Sequence, residues 1–252
     1  MDKSVMLAIQ HIKNEEENLT REINAIAKNL HLPYANPIYD GVCDLEQYLS
    51  CGKRIMWIMK EAWDSSWEEN GIEYIGGGGW SMVGCFSGYG VDGKLPKDNT
   101  WKQNSLQSII YAMYGYFNNK KFQDMDMIKS NKSMANILQQ IAYINISKMP
   151  GRKNSNDKDI LQSYRTWKNI LFKQIDLYNP EIIICANTFK YFQNDLEIND
   201  LIDENEVLNT YIKDGRLWLD AYHPNQRKVS REWYVNSILK AIRVFYDKAD
   251  NP

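Results

Sequence analysis

The 252-residue chain is short of the features that would place it quickly. It has no apolar run of about 20 residues, which rules out a conventional spanning helix in the sequence read. The N-terminal stretch from Met1 to Ile23 mixes acids and bases throughout and has no signal-peptide core. The four cysteines, Cys43, Cys51, Cys85 and Cys185, fit neither a CxxC metal knuckle nor a dense disulfide framework, so a reduced, cytoplasmic protein is expected. Thirty basic against 32 acidic residues give a formal net charge of −2, so no overall field draws in a polyanion and any nucleic-acid contact must come from a local patch. The glycine run Gly76 to Gly79 lacks the Lys-Ser/Thr pair of a phosphate-binding P-loop and reads as a flexible loop.

What is present is a pattern of buried strands between amphipathic helices. Residues Val5 to Leu30 place Met6, Ile9, Ile12, Leu19, Ile23 and Ile26 at helical spacings. A short helix is expected from Asp44 to Leu49, and the nearly all-apolar run Arg54 to Met59 reads as a first buried strand. Glu61 to Asn99 looks like loop. Helices are expected over Trp101 to Phe117, Met127 to Gln140, Lys158 to Tyr178, Thr188 to Asn194 and Arg231 to Tyr246, with further strands at Ile141 to Ile146, Glu181 to Ala186 and Leu217 to Ala221. Such alternation argues for a three-layer α/β/α domain on a central, mostly parallel four-stranded sheet. One domain over residues 1–252, with 1–50 as an N-terminal helical extension, is the expectation for this length.

In an open parallel sheet, ligands bind beyond the carboxyl ends of the strands. Three clusters fall there: Lys60 to Asp64, Asn145 to Pro150, and Asp220 to Asn225. The order strand then Glu-Ala, strand then Asn-x-x-Lys-x-Pro, Pro-x-strand, and strand then His-Pro resembles the uracil-DNA glycosylase superfamily, nearest to its iron-sulfur branch, over roughly Lys53 to Tyr246.

The resemblance implies a DNA glycosylase that hydrolyses the N-glycosidic bond of uracil or another modified base. The alternative is a non-catalytic nucleobase, nucleotide or nucleic-acid binding protein on the same scaffold. It assigns Glu61, with Asp64 second, to orienting water, Asn145 to reading the base and His223 to stabilising the departing base. Trp80, ahead of Phe86 and Tyr89, would stack on the flipped base, and Lys148, Arg227 and Lys228 would meet phosphates. The sequence departs from the family at Lys60, Trp63 and Asn225, where the family has glycine, proline and serine, and the first two could fill or reshape the pocket. Met149 stands where the iron-sulfur branch carries a cysteine, so no cluster, metal or other cofactor is expected, and DNA or a nucleobase-containing ligand is the expected partner of a monomer.

Overall fold

A computed structural model describes residues 2–86, 102–152 and 154–250. The four anticipated strands all form: β2 (Ile55–Met59), β5 (Ala142–Asn145), β6 (Ile182–Ala186) and β9 (Arg216–Ala221). They lie side by side in the order β5-β2-β6-β9, all parallel. The expected four-stranded sheet is nonetheless too small. Antiparallel strands extend it at both edges, β1 (Gly41–Val42) beside β5, and β8 (Leu208–Lys213) then β7 (Leu201–Glu204) beyond β9, making seven strands.

The parallel strands are apolar on both faces because both faces are covered. In β2, Ile55, Trp57 and Met59 meet α4 (Asn104–Phe117) and α7 (Arg231–Asp250), while Met56 and Ile58 meet α1 (Lys3–Asn29) and α5 (Asp157–Tyr178). All five are buried, at roughly 1.5 to 3 kcal/mol for each large side chain. Local chemistry sets the helix ends. The Asn156 side chain accepts from the Asp159 backbone N–H, Asp157 and Asp159 occupy the positive end of α5, and left-handed Asn179 closes it before Pro180. The anticipated helix over Met127 to Gln140 is instead a 3-10 helix, Lys132–Gln140. The segment read as loop after Glu61 holds a hairpin, β3 (Ser65–Glu69) and β4 (Ile72–Gly76), and the short α3 (Met82–Phe86). Two short α-helices, α2 (Leu45–Ser50) and α6 (Phe189–Phe192), and a 3-10 turn, Phe122–Asp124, also occur among the described residues. Among the described residues, no helix is long and apolar enough to cross a membrane.

One polar cluster interrupts this apolar interior. Asp40, just before β1, is fully buried, and its carboxylate accepts from Lys148 Nζ at 2.8 and 3.0 Å, from the Asn145 backbone N–H at 2.7 Å and from Gln174 Nε2 at 2.9 Å. Lys148 also donates to the Asn145 carbonyl at 2.8 Å. The N-terminal region is thus fastened to β5, its following loop and α5, and its β1 belongs to the central sheet.

Lys148→Met leaves the Asp40 carboxylate buried without its countercharge and is expected to cost about 3 to 5 kcal/mol. Adding Asp40→Asn to it should recover much of that loss; urea denaturation of the three proteins checks both.

Candidate functional site

The chain leaves β2 to form β5 on one side and then crosses to β6 on the other. The carboxyl ends of these strands therefore lie at a topological switch point, the place where open α/β sheets bind ligands in a crevice. Pairing continues past the strand ends. Ile146 N–H donates to the Met59 carbonyl, Ser147 N–H to that of Lys60 and Gly151 N–H to that of Ala62, each at 2.9 Å. On the other side, Thr188 Oγ1 donates to the Ile58 carbonyl at 2.9 Å and Asn187 N–H to that of Ala221 at 2.7 Å. Lys60, Glu61 and His223 consequently stand on a rim fixed by backbone bonds.

His223 is half-buried, and its Nδ1 accepts from the Asn225 backbone N–H at 3.1 Å. A neutral ring in that arrangement carries its proton on Nε2, which is left as a donor. Burial, and then the positive charge of Lys60, push its pKa down to about 4, so the ring is neutral at pH 7. The Lys60 side chain is only 13% exposed and stands 3.6 Å from Asp157 Oδ1. Asp157 in turn takes Lys190 as a salt-bridge partner and accepts from Tyr191 Oη at 3.1 Å. Asp220, three residues before His223 on β9, is pushed up to about 6 by burial, opposed by Lys190.

Glu61 is half-buried too, and its Oε2 has no hydrogen-bond partner. Burial raises its pKa against the opposing effects of Ser155 and Lys60. The side chain lies across Gly151, where any Cβ would collide with it. Glu61 lines a cleft of about 350 Å³ with Ser147, Pro150, Ser155, Asp159 and Trp167, but neither Asn145 nor His223 reaches that cleft. A cleft of similar size, about 360 Å³, lies far from these residues between β8 and α7; its walls are apolar apart from Asp203 and Thr210.

The other anticipated site residues are dispersed. Asn145 ends β5 as expected but is 2% exposed, with its Nδ2 turned towards Asp40 Oδ2 at 3.4 Å. Lys148 departs from the expectation of a phosphate contact: it is wholly buried and committed to Asp40, because an ammonium inside the core needs a countercharge. Asp64 and Trp80 hold each other. One oxygen of Asp64 accepts from Gly78 N–H at 2.6 Å and from Trp80 Nε1 at 2.9 Å, which fastens the glycine loop and turns the indole N–H inward. Phe86 is a buried core residue, and Tyr89 lies outside the described residues. Trp63 is 56% exposed. Arg227 and Lys228 are exposed as a phosphate contact requires, with Lys228 Nζ 4.6 Å from the centre of the Tyr222 ring.

Asp40, Asp157 and Gly151 were not singled out from the sequence. Asp157 carries a weak signal as the first acidic residue of a capped helix, but its ion pairs join segments distant in the chain. No family model matches this sequence, and no curated protein matches it.

An NMR titration should find the His223 ring protonating near pH 4 rather than near 6.5. Below about 6.5 the unfolded chain takes up this proton before the folded one does, so His223's share of stability is lost as pH falls towards 4. The His223→Gln protein should lose less stability over that window in urea denaturation. Asp220 has the opposite sign: its raised pKa favours the fold below about 3.8, and that contribution is lost as pH rises through about 6.

Proposed function

We propose that the protein is a glycosylase-type hydrolase acting on the N-glycosidic bond of uracil or another modified base in DNA, on a uracil-DNA glycosylase-like scaffold. The observation that carries this reading is the setting of His223, a neutral imidazole at the carboxyl end of β9 with Nδ1 occupied and Nε2–H free to donate. In the reaction, the bond between the sugar carbon and the base nitrogen breaks and its electron pair stays with the base. A water oxygen bonds to the sugar carbon, and the water's proton passes to the Glu61 carboxylate and from there to solvent or the departing base. His223 Nε2–H donates to the charge that accumulates on the base, a contribution of about 3 to 4 kcal/mol for one donor in a water-poor site. With Asn145 Nδ2 facing Asp40, recognition through Asn145 falls to its Oδ1, which accepts from an N–H on the base edge. Exposed Arg227 and Lys228 supply the local positive charge for the DNA backbone.

A second reading, a base- or nucleotide-binding protein without cleavage, is favoured by one observation: the cleft beside Glu61 does not extend to His223 or Asn145.

End-labelled single- and double-stranded oligonucleotides with one uracil, treated with alkali after incubation, decide between the two. Cleavage by the wild type, reduced about 10²- to 10³-fold in His223→Ala, supports the glycosylase. Binding of the same oligonucleotides without cleavage supports the second reading. The rate should fall as acid protonates Glu61, at a pH above the ordinary carboxylate range, while His223 stays neutral down to about pH 4. Glu61→Gln should abolish that limb of the pH profile.

A further inference from the structure

Lys60 stands where the family resemblance calls for a glycine, and its surroundings give it a use. Its side chain is largely withdrawn from solvent, yet its salt-bridge contact is Asp157 at 3.6 Å, too long for a good hydrogen bond, and its charge is felt by Glu61 as well. An ammonium has three donors, and none of Lys60's makes a hydrogen bond to the described residues. His223 has one donor in the same condition. The two residues follow β2 and β9, strands separated only by β6, and the Thr188 and Asn187 bonds tie the ends of all three together.

We propose that Lys60 is a second anion-stabilising group of the crevice, directing its ammonium to the same departing base as His223 Nε2–H, and that Asp157 is the residue that positions it. The inference rests on the glycosylase reading and adds to it a charge that the glycine of the resembling family cannot supply. The depressed pKa of His223 agrees, since Lys60's charge is one of its causes. Lys60 transfers no proton. It offsets the negative charge left on the base when the glycosidic electron pair departs, as a cation already placed beside the leaving group does without reorganisation. Asp157 suits the positioning role because it is itself held, by Lys190 and by Tyr191 Oη, at the first residue of α5. Among the described residues, Glu61 on the same loop also feels the Lys60 charge, and Asp220 lies on β9 three residues before His223.

The test compares wild type with Lys60→Met, Lys60→Arg and Asp157→Asn in two measurements. In single-turnover cleavage of the uracil oligonucleotide, Lys60→Met should lower the chemical rate about 100-fold with little change in DNA affinity, while Lys60→Arg retains most of the rate. Asp157→Asn should give a smaller loss in the same direction. In an NMR titration of the His223 ring, which needs no activity, Lys60→Met should raise the pKa from its starting value near 4. An unmoved His223 titration overturns the proposal, as does a Lys60→Met protein that cleaves normally or loses only DNA affinity. An inactive wild type whose His223 titration does respond to Lys60→Met overturns the glycosylase reading instead, and with it the catalytic role of Lys60.

Discussion

The constraint on which the rest of this structure depends is the burial of the Asp40 carboxylate. A charge fully withdrawn from water must be met by donors from within the protein, and Asp40 draws them from three places: Asn145 at the end of β5, Lys148 in the loop beyond it, and Gln174 on α5. The loop from Ile146 to Gly151 is therefore held at its base by Lys148 while its backbone pairs with Met59, Lys60 and Ala62. That places Glu61 against Gly151 and turns Lys60 towards Asp157. A polar network of this kind stabilises less than its bonds suggest, because removing charges from water is costly. Its effect is to fix one arrangement of the segments that join it.

Electrostatics at the rim follow from partial burial. The same withdrawal from water keeps His223 neutral and raises Glu61 and Asp220, while Lys60 stands 3.6 Å from Asp157. Under the proposed function, one neutral donor and a cation beside a carboxyl of raised pKa would suit a reaction in which a neutral substrate acquires negative charge. Arg227 and Lys228, the DNA contacts of the proposed function, are exposed on a chain of nearly balanced charge.

Much of the fold was legible in the sequence because a strand buried on both faces admits only apolar residues. Ile55 to Met59 and Ile182 to Ala186 could hardly be read otherwise. The edge strands were missed because that signal fades at an edge: β7 is wholly exposed and β1 has two residues. Two hairpins did leave a mark that went unread. Asn70-Gly71 between β3 and β4, and Asp214-Gly215 between β8 and β9, have positive φ at both residues, the combination that two-residue hairpins favour. The 3-10 helix at Lys132–Gln140 carries an amphipathic pattern, and periodicity over nine residues separates it poorly from an α-helix.

By itself, the sequence determined the α/β class, the four parallel strands and the end of the sheet where polar residues gather, since these follow from burial patterns and chain order. Tertiary structure decided what each polar residue is free to do. Lys148 and Lys60 are both lysines just past a strand end, yet one is consumed by Asp40 in the core while the other stands 3.6 Å from Asp157 at the start of α5. Asp64 and Trp80 satisfy each other, and Asn145 has its amide nitrogen turned inward. A side chain's availability depends on the partners that distant segments bring to it, and for Lys148 that partner is Asp40, 108 residues away in the chain.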